Sequence, residues 1–415
     1  PAATVSWIGG SGDWNTEANW SSGMLPGPDD DVVLNVPATS ITVTHSTGSH
    51  TVKSILSEES FTLSGGDLTV SNTVQVNQDF TLAGGTLANA TVLPGTNGQA
   101  IVANGGTLSG VSLGTDLDIA NGGSVYLSNG LTLAGGAKIT LNAINAYTLL
   151  YVRTGTMTID GDGEIVLGGS GPYSVFRLGY PGAANLALGP GVTLRGQGLV
   201  DDHYAPSTMV NQGMIQADVA GMQLSFDLAG FTNNGSLDAL NGGTLSIANA
   251  TTWDNSGPIT ADASTLVLGG AWTNSSTVTA SNSTVTLGGG SGIWSNTGTI
   301  TVTDCSVTLG GSFTQAGLGT FNRTGGTVTV AGTLSGGLAL DAHTGSWDLS
   351  GTLDGGAVSA TGGAELVARN GAGLAGVSLA MDLDIANGDS VYLSSGLTLV
   401  GGAKITCNAT NAYTF

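Results

Sequence analysis

Short runs in which apolar and polar residues alternate fill most of the chain. Thr, Val, Leu, Ile and Ser make up these runs, and Gly-Gly, Asn-Gly and Ser-Gly pairs separate them. Alternation with a period of two is typical of half-buried strands, and the glycine pairs are typical of turns. No long stretch repeats its apolar residues at helical spacing. The pattern therefore predicts an all-β chain with many short strands.

A phrase of similar length recurs through the middle of the chain. Its copies are MVNQGMIQAD, FTNNGSLDAL, WDNSGPITAD, WTNSSTVTAS, WSNTGTITVT and FTQAGLGTFN. The aromatic residues that open the later copies are 22, 19, 22 and 19 residues apart. One coil of a parallel β-helix, with two or three strands of about five residues and turns between them, has this length. The period predicts a parallel β-solenoid.

Two positions within the phrase predict ladders that run from coil to coil. We expect the superposed amides to bond the backbone of their own turn and the amide of the neighbouring coil. The aromatic residues are expected to stack in the core or on its flank, and a sugar-stacking platform is the alternative. The aromatic positions are Phe231, Trp253, Trp272, Trp294 and Phe313, and the amides are Asn211, Asn233, Asn255, Asn274 and Asn296, followed by Gln315.

A second repeat is much longer. Residues 110–149 return at 376–415 with 32 of 40 positions identical and a constant offset of 266 residues, and a weaker match extends the pair to 85–149 and 351–415. This predicts the recent duplication of a block of about a dozen coils. The second copy stops in mid-repeat, so we expect the chain to be part of a longer protein. At this period, residues 36–415 would form about 18–20 coils.

The first 35 residues have a different composition. They contain three of the seven Trp residues, Trp7, Trp14 and Trp20, and three of the ten Pro residues. Solenoids need ends that cover the apolar cross-section of the terminal coil. We therefore expect residues 1–35 to form a small Trp-rich cap on a solenoid that spans residues 36–415.

Charge narrows the range of partners. The formal net charge is −21, while charged residues make up only 9% of the chain and apolar residues 40%. The apolar fraction is too high for a disordered tail, and the negative charge disfavours nucleic acids and anionic membrane surfaces. No apolar run approaches the roughly 20 residues of a spanning helix, so we expect no membrane insertion in this segment.

The two cysteines give no sign of chemistry. Cys305 and Cys407 are about a hundred residues apart, which does not suggest a disulfide framework or a paired metal site. Cys305 falls at the repeat position that holds Ser264 and Ser283 in the two preceding coils. We therefore expect a replaceable small side chain there, and neither a nucleophile nor a metal ligand.

The opening W-I-G-G-x-G-x-W…N-W…P-G-x-x-D-D-V, together with the x-N-x-G-x-I/V-x-A coils, resembles secreted bacterial adhesins and autotransporter passengers of the filamentous-haemagglutinin type. The likeness covers essentially the whole chain and is more specific for architecture than for activity. It implies a right-handed parallel β-helix that is secreted and displayed outside the bacterial cell.

One segment has the composition of a catalytic site. Arg195 is followed by Asp201, Asp202 and His203 with Tyr204 beside them. β-helices of the pectin-lyase and polygalacturonase kind use carboxylates, His and Arg on one sheet to cleave acidic polysaccharides. Here the acids are adjacent in one loop instead of a coil apart on a strand. We expect a solvated loop between coils, and a protein that is not an enzyme.

A run of three acids is the candidate for a metal. Asp29, Asp30 and Asp31 could bind Ca²⁺, which prefers several oxygen ligands. The run lacks the G-G-x-G-x-D repetition of calcium-binding solenoids. We therefore expect a polar turn and no cofactor, with Ca²⁺ as the alternative.

Taken together, these patterns predict an acidic extracellular scaffold, stalk or filament component of the bacterial cell surface that presents a repetitive surface. Its expected partners are glycans, a host or cell surface, or other copies of itself. The alternative is a carbohydrate-active β-helix of the lyase or hydrolase kind, or a glycan-binding module. Convergence of acids and Arg on one face near residue 200 would distinguish the alternative.

Overall fold

The computed structural model describes residues 3–37, 40–171, 173–248 and 250–415. The chain is an all-β parallel β-solenoid of about 18 coils, as the repeat predicted. It forms two compact units, Pro1–Gln216 and Ala217–Phe415.

In the first unit, a coil consists of three short strands. Strands Ser60–Leu63, Asp67–Val70 and Thr73–Val76 form one coil, and each pairs in parallel with the corresponding strand of the next coil. A 3-10 helix, Glu17–Asn19, precedes the first full coil. The strands of this unit are Thr4–Ser6, Gly12–Asp13, Asp31–Leu34, Thr42–His45, Ser49–Val52, Ser54–Ser57, Ser60–Leu63, Asp67–Val70, Thr73–Val76, Phe80–Leu82, Thr86–Ala88, Thr91–Leu93, Ile101–Ala103, Thr107–Leu113, Leu117–Ile119, Ser124–Leu133, Lys138–Ala143, Thr148–Gly161, Glu164–Gly169, Ser174–Leu188, Thr193–Gly196, Gly198–Asp201, Thr208–Asn211 and Met214–Ala217.

The second unit is built in the same way from parallel strands. One short α-helix, Gln315–Leu318, interrupts them. The strands are Gln223–Asp227, Gly230–Asn233, Ser236–Ala239, Thr244–Ile247, Thr252–Asn255, Ile259–Asp262, Thr265–Leu268, Ala271–Asn274, Thr277–Ser281, Thr284–Leu287, Trp294–Asn296, Thr299–Thr303, Ser306–Leu309, Ser312–Thr314, Thr320–Thr324, Thr327–Val330, Thr333–Ser335, Leu338–Leu340, Trp347–Leu349, Thr352–Asp354, Ala357–Ala360, Leu366–Ala368, Ala372–Leu379, Leu383–Ile385, Val391–Leu399 and Ile405–Cys407.

The alternating pattern explains the core. In strand Thr265–Leu268 the two leucines are buried, and Thr265 and Val267, which alternate with them, lie on the outer face. Parallel pairing in register places like residues above one another, so that Leu268, Leu287 and Leu309 follow one another along the core. Because each coil covers the apolar side chains of its neighbours, the stability of a coil depends on the coils around it.

Glycine is required where successive corners approach closely. Gly66 has a φ of 69°, and a Cβ atom at this position would lie 2.3 Å from the carbonyl oxygen of Gly48 in the preceding coil. Gly85 repeats this arrangement one coil later, with a φ of 68°. A side chain at either position would strain the backbone and separate the coils.

The three N-terminal tryptophans pack against one another. The rings of Trp7 and Trp14 each meet the ring of Trp20 edge to face, with centroids 4.9 and 4.7 Å apart, and all three side chains are buried. Strand Thr4–Ser6 pairs in parallel with Asp31–Leu34, so this segment also supplies strands to the first coil. Its role as a cap for the core stays a prediction.

The duplicated segments fold alike. The backbone amide of Lys138 donates to Asp116 Oδ1 at 2.8 Å, and the amide of Lys404 donates to Asp382 Oδ1 at the same distance. The register shift beside Val111 recurs beside Val377. A sequence block that is repeated at this identity therefore reproduces its turns as well as its strands.

Candidate functional site

The structure does not gather the predicted catalytic residues into one site. Arg195 lies in a different stack of strands from Asp201, and its Nε contacts Glu164 Oε2 at 3.2 Å. Asp202 Oδ2 accepts a hydrogen bond from the backbone amide of Ser207 at 2.7 Å and so fixes its own loop. His203 is exposed, and its ring meets the ring of Tyr204, also exposed, edge to face.

The partner of Asp201 is Arg177, a residue that the sequence did not suggest. Arg177 Nε and Nη2 donate to the two carboxylate oxygens of Asp201, each at 2.7 Å. Parallel pairing places the two residues side by side on adjacent coils. The hydrogen bond to Asp201 raises the pKa of Arg177 above its usual value. A carboxylate held on both oxygens by a guanidinium is suited to joining coils and poorly suited to proton transfer.

Beside this ion pair lie four tyrosines from successive coils, Tyr126, Tyr151, Tyr180 and Tyr204, which we call the tyrosine cluster. The guanidinium carbon of Arg177 lies 5.7 Å from the centroid of the Tyr204 ring. The rings of Tyr126 and Tyr151 stack with centroids 4.8 Å apart and an interplanar angle of 9°. Tyr180 leans against Tyr151 at 5.2 Å, and Tyr204 meets Tyr180 edge to face at 5.0 Å. Tyr126 alternates with buried neighbours along its strand, whereas Tyr151 is buried between Leu150 and Val152, which are also buried. Tyr204 is exposed.

Insertions at one corner of the solenoid form the cluster. Three residues, 128–130, separate the paired positions Leu127 and Leu131, whereas six residues, 153–158, separate their partners in the next coil. In the coil after that, nine residues, 179–187, occupy the same interval. The corner thus grows from coil to coil, and its longer segments carry part of the cluster.

Burial keeps the phenols of Tyr126 and Tyr151 protonated. It raises the pKa of Tyr151 to about 12, with contributions from neighbouring Tyr204. Burial likewise raises the pKa of Tyr126 above its usual value. Both hydroxyls therefore remain hydrogen-bond donors at neutral and moderately alkaline pH.

Arg153 completes the surface. Its guanidinium carbon lies 4.8 Å from the centroid of the Tyr126 ring, in cation–π geometry. Its Nη2 contacts Thr107 Oγ1 at 3.5 Å, and its Nε is buried without a hydrogen-bond partner. Within the described part of the chain, no carboxylate lies within ion-pair distance of this guanidinium.

The predicted amides form a ladder in the second unit. Asn233 donates to Asn255, Asn255 to Asn274 and Asn274 to Asn296, each from Nδ2 to Oδ1 at 2.6 Å. Each Nδ2 also donates to the backbone carbonyl two residues further on. In the first unit, Asn211 makes the same local bond to Gly213.

Gln315 does not continue this ladder as expected. The carbonyl of Leu318 accepts the next hydrogen bond from Asn296 Nδ2 at 2.8 Å. Gln315 begins the short α-helix, and its side chain bonds the backbone of Ala339 instead. The ladder of side-chain amides therefore ends at Asn296.

The aromatic residues of the phrase stack inside the core. Trp272 lies 5.3 Å from Trp253 and 5.1 Å from Trp294, measured between nearly parallel rings. Phe231 and Phe313 adjoin the two ends of this stack. All five side chains are at most 3% exposed. A ligand cannot reach these rings, so the structure does not support the sugar-stacking alternative for them.

The acidic run Asp29–Asp31 is divided among different partners. Asp30 accepts hydrogen bonds from the backbone amides of Ala3 and Gly27. Asp31 pairs with Lys53 at 2.8 Å, and Asp29 is exposed. Among the described residues, no group of three or more His, Cys, Asp or Glu side chains is placed to hold a metal ion.

Comparison of the chain with protein-family models, with curated proteins and with solved structures gave no match. Within the described ranges, no helix has the length and apolar character needed to cross a membrane. The resemblance to secreted adhesins therefore rests on the repeats and on the solenoid that they form.

Proposed function

We propose that the chain is a structural and adhesive scaffold of the bacterial cell surface, which acts by binding and not by catalysis. The observation that carries the proposal is the coil-to-coil ladder of buried Asn and Trp side chains. Here the repeated polar and aromatic residues of the phrase join one coil to the next. Recurring side chains that stack from coil to coil are typical of a repeat protein that presents an extended surface.

The same positions would be used differently in a β-helix enzyme. Such an enzyme needs a base or an acid with an accessible oxygen or nitrogen near the substrate. Near residue 200, the side chains of Asp201, Asp202 and Arg195 are instead engaged with neighbouring coils or with their own loop, and His203 is exposed on that loop. This favours the scaffold over polysaccharide cleavage.

Localisation on intact cells tests the proposal. Antibodies against the purified chain would be applied to intact and to lysed cells of the organism that encodes it, with a cytosolic enzyme as the control antigen. We expect the intact cells to be labelled and the label to be removed by added protease, while the cytosolic control stays unlabelled. Labelling that appears only after lysis would contradict the proposed function.

A further inference from the structure

We propose that one sheet face of the second unit binds the surface of ice. The inference rests on the adhesive function proposed above and names a surface to which the chain would adhere. Three observations carry it: an uncharged grid of hydroxyl groups, the distance between neighbouring hydroxyls, and a core that keeps successive coils aligned.

The outer side chains of four stacked strands form this face, which we call the threonine face. The strands pair in parallel without a shift of register, so their first and third residues form two columns. All eight side chains alternate with buried neighbours and are half-buried or exposed. They are Thr265, Thr284, Ser306 and Thr327 in one column and Val267, Thr286, Thr308 and Thr329 in the other.

The preference of strands for β-branched residues does not by itself explain the face. Val, Ile and aromatic residues are favoured in strands as Thr is, yet seven of these eight side chains carry a hydroxyl group. The chain has a net charge of −21, but none of the eight side chains is charged. Asp348, which pairs with Thr329 in the next coil, ends the uncharged stretch. The face is therefore a neutral, hydroxyl-bearing surface on an acidic chain.

The spacing of the coils suits water in the arrangement that it has in ice. Corresponding hydroxyls in neighbouring coils lie about 4.8 Å apart, the distance between paired strands. This is too long for a direct hydrogen bond of about 2.8 Å between hydroxyls, but one water molecule can bridge the two. When two oxygens share a tetrahedral neighbour at about 2.8 Å, as in ice, they are about 4.6 Å apart. A column of hydroxyls can therefore replace a row of oxygens of the ice lattice with little change in spacing.

Threonine is suited to hold water in one pattern. Its side chain is branched at Cβ, which restricts rotation about χ1 and so fixes the direction of the hydroxyl. The hydroxyl both donates and accepts hydrogen bonds, as the water molecules of ice do. The methyl group beside it gives water no competing polar partner. The two columns thus present equivalent anchoring groups at equal intervals.

The core beneath the face keeps these coils aligned. Trp272 and Trp294 follow the first two strands of the face, and their rings lie 5.1 Å apart at an interplanar angle of only 4°. The amide ladder passes through the same coils, where Asn274 donates to Asn296. Stacking and side-chain ladders are typical of sheets with little twist. Successive coils are therefore rotated little against one another, as contact with a planar lattice requires.

A crystalline polysaccharide is another neutral lattice that a planar face could meet. Sugars alternate C–H faces with hydroxyl groups, and aromatic side chains are suited to cover the C–H faces. None of the eight side chains of the threonine face is aromatic. The observations therefore favour ice, and binding to a polysaccharide is an outcome that the experiment must distinguish.

Uptake of the purified full chain into growing ice tests the inference. Ice would be grown slowly in a solution of the chain and a cytosolic enzyme of similar mass, and the protein content of ice and liquid would be compared. We expect the chain to enter the ice and the enzyme to be excluded. Thr286→Tyr and Thr308→Tyr each place a large ring in the middle of the face, which would hold the lattice away from the hydroxyls. Each should lower the uptake to that of the enzyme.

The matched control is Thr69→Tyr. Thr69 is the third residue of strand Asp67–Val70 in the first unit and, like Thr308, is half-buried between buried neighbours. Its strand begins with an aspartate, and Ala88 follows it in the next coil, so it does not belong to a hydroxyl grid. This variant should enter ice as the unaltered chain does. Aromatic residues are favoured in strands, and circular dichroism would establish that each variant is folded, with either Tyr variant of the face sufficient for the test.

Three results would overturn the inference: exclusion of the unaltered chain from ice, undiminished uptake of the folded variants of the face, and an equal loss of uptake in the Thr69 variant. Sedimentation of the chain with crystalline cellulose or chitin, together with exclusion from ice, would also contradict it. A chain that is displayed on intact cells but excluded from ice would lose this site and keep the proposed function. Absence from the cell surface would instead contradict the proposed function, whatever the uptake into ice.

Discussion

The imidazoles of His45 and His50 share a hydrogen bond within the first coils. His45 Nδ1 donates to the carbonyl of Gly65 at 2.8 Å, so the neutral ring accepts at Nε2 from His50 Nδ1, also at 2.8 Å. Burial lowers the pKa of His45, whose side chain is fully buried, and outweighs the opposing charges of Asp13 and Asp67. Burial and the charge of His45 lower the pKa of His50.

The lowered pKa values make stability depend on pH. In the unfolded chain both imidazoles take up protons near their ordinary value of 6.5, whereas the folded chain resists protonation until lower pH. The unfolded state therefore binds more protons below this value, and stability falls as the pH falls. We expect the free energy of unfolding to be constant above about pH 7.5 and to drop by on the order of 1 kcal/mol towards pH 5, as measured by denaturant titration.

A comparison of two variants isolates this effect. His50→Gln should weaken the dependence of the free energy of unfolding on pH, because it removes one titrating imidazole and the repulsion between the two protonated rings. His343→Gln should leave the pH dependence of the free energy of unfolding unchanged, since the His343 side chain is 93% exposed and distant in sequence from His45 and His50. A pH dependence that is identical in all three proteins would show that other groups cause it.

At the scale of the strands, the Asn ladder joins coils through side chains. Asn274 both accepts from Asn255 and donates to Asn296, and its Oδ1 accepts from the amide of Ser276. In Asn274→Ala, the neighbouring amides would lose a donor or an acceptor while they remain buried. Unsatisfied buried groups are costly, so we expect the free energy of unfolding to fall by about 2 kcal/mol or more, measured by denaturant titration.

Asn234→Ala is the control for the ladder. Asn234 follows Asn233 directly but is exposed, and its Oδ1 accepts a hydrogen bond from Ser256 Oγ at 2.8 Å. Its replacement should change the free energy of unfolding by no more than about 0.5 kcal/mol. Equal decreases in the free energy of unfolding of the two variants would mean that an amide of the ladder contributes no more to stability than an exposed amide.

The ladder also shows what a sequence period can predict. A constant phrase fixes which residues lie above one another, so the stacking partners of Trp272 and Asn274 follow from counting. The end of the ladder could not be counted, because Thr314 Oγ1 accepts from the amide of Gly317 and stabilises a helical turn at Gln315. At Gln315 the N-cap hydrogen bond therefore favours a helical turn over the strand that the repeat pattern predicts.

The candidate site was predictable only in part, for a related reason. Asp201 and Tyr204 stood out in the sequence, but Arg177 and Arg153 did not. Their partners are set by a register that shifts within the strands Thr148–Gly161 and Ser174–Leu188. Where coil length changes from one coil to the next, the spacing in sequence no longer gives the neighbour in space.

For the chain as a whole, charge opposes association between copies. The net charge is −21 at pH 7, and the sequence pI is about 4.1. Like charges keep acidic proteins apart at neutral pH, and the repulsion disappears as the carboxylates are protonated. If copies of this chain associate laterally, as a filament component would, association should be strongest near the pI.

We therefore expect light scattering to show single chains at pH 7 in low salt and growing assemblies as the pH is lowered towards 4. Salt at pH 7 should promote the same assemblies, since about 0.1 M salt screens charges beyond roughly 10 Å. Circular dichroism recorded in parallel separates assembly from unfolding, because assembly of folded chains leaves the β signal unchanged. Scattering that grows only as this signal is lost would indicate aggregation of unfolded chains, and association between folded copies would then have to be abandoned as part of the scaffold's function.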